Sequence, residues 1–379
     1  MRIYLDHNAG APLCAAARAA MAAAIAAPAG NPSSIHAEGR AARSQLERAR
    51  ATIAGLCGGP ADALVLTSGG TEAVALGVIG LGLAARAAGA PARVLVGATE
   101  HPAVHAAAAV LADHGFARET LAVDDAGRLD GAALARRLDG GAAVVAIAAV
   151  NHELGVIADV AALAPMIRAA GARLFVDAVQ AAGRMALAPV AAAADAIALS
   201  AHKLGGPVGV GALWLRPGAP LAPIHGGGHQ ERGRRPGTEN LIGAVGFAAA
   251  VAAIDPAAAD AARASAARLE AGLRAIAGCR VHGDGAPRIG TVVNVGFAGA
   301  RGDAIVMALD LAGVAASTGA ACSSGSVKPS PVLLALGLAP AAAHEGVRFS
   351  LGPGVTDDDV DRVLALMPAI VARARAAAG

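Results

Sequence analysis

Lys203 is the residue of this sequence whose type and position most directly suggest chemistry. It is one of only two lysines among 31 basic residues, and it follows the apolar run 195–199, so it lies at the end of a predicted strand. A deprotonated lysine amine forms a Schiff base with an aldehyde, whereas a guanidinium stays charged and cannot. Pyridoxal phosphate is therefore the first cofactor to consider. Taken alone, Lys203 is equally consistent with a lysine that has no functional role and merely persists in an Ala- and Arg-rich sequence.

Cys322 is a second candidate for chemistry. It stands in Ser317-Thr-Gly-Ala-Ala-Cys322-Ser-Ser-Gly-Ser, a glycine- and serine-rich stretch typical of a loop. A thiol gains no packing benefit there, which favours a reactive cysteine. The other cysteines, Cys14, Cys57 and Cys279, are far apart and form no CxxC pair, so neither a zinc site nor a disulfide framework is indicated.

Polar residues elsewhere fit the same cofactor. Thr67-Ser-Gly-Gly70-Thr71 follows a predicted strand and opens a predicted helix, so its amides and hydroxyls can hold a phosphate, although a Gly-Gly turn is more often only a tight loop. Asp177 ends another strand, where it could keep a pyridinium protonated or simply cap a helix. Gln180 could donate to the phenolic oxygen of the same ring, and His101 could stack on it or shuttle a proton.

Arg348, in a predicted strand, suits bidentate capture of a substrate carboxylate, with an ordinary surface arginine as the alternative. Two histidine pairs, His101 with His105 and His225 with His229, have the i, i+4 spacing of metal ligands. Neither pair lies in an H-E-x-x-H frame, so we predict no metal site.

The elements that position these residues alternate between short apolar runs and Ala-rich helical stretches. This alternation predicts a largely parallel α/β sheet with helices on both faces. The predicted strands are 64–66, 93–96, 143–147, 173–176, 196–199 and 210–215. Ligands of open α/β sheets bind beyond the carboxyl ends of the strands, so the polar residues that follow these runs are expected to converge. They are Thr71, His101, Asn151, His152, Asp177, Gln180, Ser200, His202 and Lys203.

The pattern changes after a glycine-rich, charged loop at 225–240. Beyond it the sequence predicts strands at 291–297 and 347–351, a helix at 303–311 and a last helix capped by Thr356, which together indicate a smaller α+β domain. We predict a large cofactor-binding domain at 15–255. The small domain comprises 1–14 and 256–379 and carries the Cys322 loop.

Composition limits the function classes. The 379-residue chain is 55% hydrophobic and can bury a large core, while its net charge of +2 and lack of a basic stripe predict no direct nucleic-acid binding. The apolar stretch 241–254 is shorter than the roughly 20 residues of a bilayer span. The first residues lack the pattern of a secretory signal, so a cytoplasmic protein without a membrane partner is expected.

The motifs together resemble those of a cysteine desulfurase of the class V aminotransferase group, within the fold-type I pyridoxal-phosphate enzymes. That resemblance implies a mainly parallel seven-stranded sheet with a smaller α+β domain, and it extends over essentially the whole chain. The matching segments are Tyr4-Leu-Asp, Gly30-Asn-Pro-Ser-Ser-Ile-His36, Ser68-Gly-Gly-Thr-Glu, Glu100-His, Asp177-Ala-Val-Gln180, Ser200-Ala-His-Lys, Gly237-Thr-Glu-Asn, the Cys322 stretch and Arg348-Phe-Ser-Leu.

The resemblance also implies roles for the residues. Lys203 would hold the cofactor and move protons, His101 would stack on the ring, and Asp177 would pair with the ring nitrogen. Cys322 would attack the sulfur of L-cysteine, carry it as a persulfide and release L-alanine. The remaining implied contacts are Gln180 and His152 with the phenolate; Gly70, Thr71, Ser200, His202 and, from the second subunit of a homodimer, Thr238 with the phosphate; and Arg348 and Asn151 with the substrate.

The sequence departs from the family pattern at His152, where Asn-Asn-Glu is usual, so we expect the charge of this imidazole to affect cofactor colour and pH dependence. Hydroxyls are also lost at Gly10 and Ala11, and the basic loop is one residue longer than usual near His229. The persulfide sulfur would pass to an iron-sulfur scaffold or another acceptor protein, but the sequence does not distinguish the pathway. The alternatives are a related selenocysteine lyase or aminotransferase, or a non-catalytic scaffold-binding protein.

Overall fold

The computed structural model describes residues 2–28, 30–319 and 328–377, so Cys322 lies outside the described residues. The helices are α1 Ala15–Ala26, α2 Ala37–Gly55, α3 Gly70–Ala87, α4 Pro102–Asp113, α5 Gly131–Leu138, α6 Val160–Ala169, α7 Ala188–Ala193, α8 Leu241–Ala252, α9 Pro256–Arg274, α10 Gly302–Leu311, α11 Pro331–Ala335, α12 Pro340–Ala343 and α13 Asp357–Ala376. The strands are β1 Ile3–Tyr4, β2 Leu64–Thr67, β3 Arg93–Gly97, β4 Ala117–Leu121, β5 Val144–Ala148, β6 Arg173–Asp177, β7 Ala196–Ser200, β8 Gly211–Leu215, β9 Cys279–Val281, β10 Val292–Phe297, β11 Val314–Ala315 and β12 Gly346–Ser350.

The central sheet has seven strands in the order β2-β8-β7-β6-β5-β3-β4. Only β8 runs antiparallel to its neighbours, so the predicted mainly parallel α/β sheet is confirmed. Apolar clusters cover both faces, which explains why the predicted strands read as continuous apolar runs. The sequence analysis missed β4, because this edge strand (ARETL) is largely exposed and carries charged residues.

The C-terminal part builds a smaller α+β layer. Strand β10 pairs antiparallel with β9 and β12, while the N-terminal β1 pairs with β11 and Asp6 bridges to Ser350. A separate apolar cluster joins Ile3 and Leu5 with residues between 266 and 374. The first residues thus complete this layer, as expected, while the domain boundaries at 15 and 255 stay a prediction.

Helix α3 alone has the length and hydropathy of a membrane span among the unbroken helices of the described chain. It is a core helix, because 56% of its apolar window is buried inside the protein and it packs across β6, β7 and β8. Helices α8 and α9 meet the same test only as a pair, and the chain bends by 74° between them.

Candidate active site

Lys203 closes a short 3-10 turn, Ala201–Lys203, directly after β7, as its predicted position at a strand end requires. Its Nζ donates hydrogen bonds to the carbonyl oxygens of Asn8 (2.6 Å) and Ala9 (2.9 Å). The N-terminal segment therefore lies against the amine. Because carbonyl acceptors fix the direction of the ammonium, the side chain is held at the edge of the sheet instead of extending into solvent.

Asp177 is the last residue of β6 and is buried. Its Oδ1 accepts from the backbone N–H of Val179 at 2.9 Å and so stabilises a turn. The alternative interpretation of Asp177 as a helix cap is wrong, because the next helix, α7, begins only at Ala188. Burial raises the pKa of the Asp177 carboxyl, while His101 and Lys203 act in the opposite direction. An added cation at this position would restore the charged form, which is the property expected of a partner for a pyridinium nitrogen.

Gln180 is buried one turn after Asp177. Its Nε2 donates to the carbonyl oxygen of Asn8 at 3.0 Å, while its Oε1 has no hydrogen-bond partner among the described residues. A buried amide oxygen without a partner is uncommon and calls for a missing ligand or water. The predicted contact with a phenolic oxygen stays a prediction.

His101 caps the N-terminus of α4, because its Nδ1 accepts from the N–H of Ala103 at 3.1 Å. The ring proton therefore lies on Nε2 in the neutral form. Burial lowers the pKa of His101, with Asp177 opposing that shift and Lys203 adding to it. A neutral imidazole whose Nδ1 is held as an acceptor keeps its proton on Nε2, so it is suited to stacking on a ring and to relaying that proton.

His152 lies beside His101, with the two ring centroids 5.3 Å apart and the planes at 72°. Burial holds the pKa of His152 well below its ordinary value, and His101, Arg348 and Lys203 lower it further. The imidazole is thus neutral near pH 7. The backbone carbonyl of His152 accepts from Asn8 Nδ2 (2.9 Å) and from Arg348 (3.1 Å).

The predicted phosphate residues meet at the start of α3. No side chain caps this helix, so the amides of its first turn remain available to an anion. A Cβ on Gly70 would lie 3.1 Å from the Cβ of Ser200, and Ser200 Oγ lies 2.9 Å from His202 Nδ1. Thr71 is exposed on the first helical turn. A phosphate fits these donors.

Thr238 is exposed in the loop 225–240, and its predicted contact across a dimer stays a prediction. The loop itself is held by two ion pairs. Glu231 forms a buried bidentate pair with Arg50 (2.5 and 2.7 Å), and Arg235 pairs with Glu72 of α3 at 2.8 Å. The position of the loop is thus fixed relative to α2 and α3.

Arg348 is buried in β12 and is no surface arginine. It donates to Asp6 Oδ1 at 2.8 Å and to the carbonyl of His152 at 3.1 Å, while its Nε has no partner among the described residues. A substrate carboxylate would use this free N–H and compete with Asp6. The residue pattern around Arg348 does not predict that competition, because Asp6 is 342 positions away in the chain.

Asn151 has a role that the sequence analysis missed. Its Oδ1 accepts from the N–H groups of Glu153 (2.9 Å) and Leu154 (2.8 Å), and its Nδ2 donates to the carbonyl of Thr99 at 2.8 Å. The side chain therefore shapes the turn that carries His152. The predicted substrate contact of Asn151 stays a prediction.

Three further polar residues of the site were not predicted. Asn8 connects Lys203, Gln180 and Arg184, whose guanidinium donates to Asn8 Oδ1 at 2.6 Å. Asp6 is the partner of Arg348. Asp6 ends the matching segment Tyr4-Leu-Asp and Asn8 follows it, but nothing in the sequence places the N-terminus beside Lys203.

Two carboxyl groups beside the site are buried. Burial raises the pKa of Glu153 to about 7, and it holds the pKa of Glu100 well above its ordinary value. Glu100 accepts from the N–H of Ala148 at 2.9 Å and borders a cavity of about 190 Å³, which Asn151 also lines. Their sequence signal was adjacency to His101 and His152.

The described residues fit pyridoxal phosphate. They provide an amine, a buried carboxyl, an uncapped helix start and two buried polar atoms that lack partners within the described chain, Gln180 Oε1 and Arg348 Nε.

The described residues contain no group of three or more His, Cys, Asp or Glu side chains that could hold a metal ion.

Comparison with known proteins identifies the family. The sequence profile of the family described as Aminotransferase class-V matches residues 3–363. A cysteine desulfurase of Cereibacter sphaeroides is 41% identical, with 99% of this chain and 97% of that protein covered. The cysteine desulfurase of Gluconacetobacter diazotrophicus is 40% identical, with 98% and 94% covered.

Solved structures agree with this assignment. A NifS-like protein superposes with a TM-score of 0.89 at 28% identity, covering 98% of this chain and all (100%) of that one. DndA from Streptomyces lividans superposes with a TM-score of 0.77 at 32% identity, covering 90% and 97%. The fold is therefore that of the fold-type I pyridoxal-phosphate enzymes, and the chain belongs to the class V aminotransferase family, in its cysteine desulfurase group.

Proposed function

We propose that this protein is a pyridoxal-phosphate-dependent cysteine desulfurase, which converts L-cysteine to L-alanine and keeps the sulfur as a persulfide on Cys322. The observation that carries the proposal is the convergence of Lys203, Asp177 and His101 beyond the carboxyl ends of the central strands, with Arg348 of β12 joined to them through the carbonyl of His152. Proteins named cysteine desulfurase that match over the whole chain support it.

Each residue of the site has a distinct role in the proposed reaction. Lys203 would hold the cofactor through its amine, and that amine would also carry a proton to and from Cα of the substrate. Arg348 binds the substrate carboxylate through the N–H groups that Asp6 and His152 leave free. His101, neutral and with its proton on Nε2, would stack on the cofactor ring. When bound, the cofactor supplies an electron sink that makes Cα acidic.

The sulfur step is balanced with Cys322 as the acceptor. The Cβ–S bond of L-cysteine breaks and an S–S bond forms between that sulfur and Cys322, while Cβ gains hydrogen and leaves as the methyl group of L-alanine. The thiol of Cys322 becomes a persulfide, so no external oxidant is needed for this step. An added thiol then reduces the persulfide and releases sulfide, with the added thiol oxidised to its disulfide.

Three further features belong to the proposal. The enzyme acts as a homodimer in which Thr238 reaches the phosphate of the second subunit; the exposure of Thr238 and the two ion pairs that hold its loop support this. An iron-sulfur scaffold or another sulfur-acceptor protein takes the persulfide sulfur. The cytoplasm is the compartment, as the free thiols of Cys14, Cys57 and Cys279 suggest.

Product analysis of the purified holoenzyme tests this function. With L-cysteine and a thiol reductant, we expect alanine and sulfide in equal amounts, together with visible absorbance from the bound cofactor. Formation of 3-mercaptopyruvate, and only when a keto acid is added to accept the amino group, would instead indicate an aminotransferase. Turnover of L-selenocysteine with none of L-cysteine would indicate the lyase, and cofactor absorbance without turnover of either would indicate a binding protein.

A further inference from the structure

We propose that Glu153 is a positioning residue that joins the two flanks of segment 320–327, which carries Cys322, and holds them next to the cofactor site. The inference rests on the proposed function for its catalytic consequence. Its structural basis lies in Glu153, Ser330 and Gly319, which are all described.

The C-terminal flank is bound to Glu153 by a directional hydrogen bond. Ser330 Oγ donates to Glu153 Oε2 at 2.6 Å and accepts from the N–H of Leu333 at 3.1 Å. The hydroxyl proton of Ser330 is therefore committed to the carboxyl group. Both residues are almost fully buried, with 1% of Glu153 and 3% of Ser330 exposed, so water does not compete for this bond.

The N-terminal flank passes against the same carboxyl oxygen. A Cβ on Gly319 would lie 2.5 Å from Glu153 Oε2, so only glycine permits this approach, and its φ of +89° also favours glycine. Gly319 donates to Ser317 Oγ at 3.1 Å, and the backbone of Ser317 pairs in both directions with Arg348. One carboxyl group thus contacts both sides of the segment.

Glu153 is itself fixed to the cofactor side of the site. Its N–H donates to Asn151 Oδ1 at 2.9 Å, and its carbonyl accepts from Asn294 Nδ2 of β10 at 3.2 Å. The adjacent His152 places its Nε2 3.7 Å from Glu153 Oε1. Glu153 therefore connects the turn beside His101 with the flanks of the nucleophile segment, and no described contact makes it touch the reacting atoms.

A double-mutant cycle tests this role in the full-length holoenzyme. The variants are Glu153→Ala, Ser330→Ala and the double variant, with Ser330→Thr as the conservative replacement. Ser265→Ala is a matched control, because Ser265 is a serine of similar burial (5%) in α9 and takes part in none of the hydrogen bonds that the described residues of the site form. The measurements are the rate of persulfide formation on Cys322 in a single turnover and the absorbance of the cofactor.

We expect each alanine variant to slow persulfide formation by about 10- to 100-fold, the scale of a small misplacement of reacting groups. The rate of persulfide formation in the double variant should be no lower than in the slower single variant, because both substitutions remove the same hydrogen bond between Ser330 and Glu153. The cofactor absorbance and its response to L-cysteine should match wild type, and Ser330→Thr and Ser265→Ala should retain the wild-type rate. Additive losses, or a loss of cofactor in proportion to activity, would overturn the inference.

Two additions keep the test decisive. If Glu153→Ala does not fold, Ser330→Ala against Ser330→Thr carries the comparison, and equal rates in these two variants would refute the role. Alkylation of Cys322 by iodoacetamide, followed by mass spectrometry, needs no turnover and should be faster in Ser330→Ala than in wild type. An inactive wild type would thus refute the proposed function, whereas unchanged alkylation would refute the positioning role separately.

Discussion

The cofactor site and the loop 225–240 both bury ionisable groups, but the site favours their neutral forms whereas the loop pairs opposite charges. In the site, burial raises the pKa of Asp177 and lowers the pKa values of His101 and His152, which favours the neutral form of each group. In the loop, the buried Glu231 is matched by the bidentate guanidinium of Arg50 and by the N–H of Leu66 at 2.9 Å. Matched charges hold the loop in place.

This difference separates structural from functional polarity. A buried pair with all its hydrogen bonds satisfied fixes a backbone, here one in which Glu231 adopts a left-handed φ of 48°. In contrast, buried ionisable groups in their neutral forms are typical of a functional site. A buried polar atom without a partner in the described chain, such as Gln180 Oε1, indicates that a ligand or water binds there. Substitutions in the loop 225–240 should therefore alter stability, and those in the cofactor site should alter activity.

The largest effect is expected at Lys203. Lys203→Arg keeps the charge and removes the amine chemistry, so we expect turnover to fall by at least about 1000-fold, within the range that a positioned proton-transfer group contributes. Lys328→Arg is the matched control, because Lys328 is the other lysine of the chain and is exposed. Steady-state alanine release measures both, and an active Lys203→Arg enzyme would contradict the assignment.

Removing the loop's buried carboxylate comes next. Glu231→Gln removes the buried, bidentate counter-charge of Arg50 and leaves only the largely exposed Glu47 at 3.3 Å, which should lower the free energy of unfolding by about 3 kcal/mol. Asp361→Asn, in an exposed pair with Arg268, should cost less than about 1 kcal/mol. Urea denaturation measures both. Similar losses in the two variants would remove the contrast between the loop and an ordinary surface pair.

The second ion pair of the loop should appear in the pH dependence of stability. Hydrogen bonds from Arg235 and Ser68 outweigh burial and lower the pKa of Glu72 from 4.5 to about 2. A depressed folded-state pKa gives stability that is present above the unfolded pKa and is lost as pH falls from about 4.5 toward 2. The contribution is on the order of 3 kcal/mol at most. Denaturation of Glu72→Gln as a function of pH should show a correspondingly shallower decline, and an unchanged slope would refute it.

The smallest effect is expected at His152. The sequence-based expectation was that its charge would affect cofactor colour and pH dependence, but burial and four neighbouring basic groups lower its pKa and keep it neutral. His152→Asn should therefore change kcat/KM by less than about tenfold, the scale of one hydrogen bond. The pH profile of cofactor absorbance should stay the same near neutrality. A titration lost in the variant would show that His152 is charged after all.

The sequence predicted the site as far as strand ends could reveal it. Lys203, Asp177 and His101 each follow an apolar run, and parallel strands bring such positions to one edge. The roles of Asn8 and Asp6 in the site were not predicted, because these residues reach it only through the long-range pairing of β1 with β11. Arg348 was found by type, but its pairing with Asp6 depends on the same contact. The edge strand β4 was missed because its exposed charged residues hide the apolar pattern.

The central claim is that Cys322 takes the sulfur from L-cysteine at a site organised by Lys203. Mass spectrometry of the protein after one turnover, with wild type and Cys322→Ala compared, tests it most directly. We predict one added sulfur on the peptide that contains Cys322 in wild type, and in Cys322→Ala no added sulfur, no alanine and unchanged cofactor absorbance. Alanine release by Cys322→Ala at the wild-type rate would contradict the account.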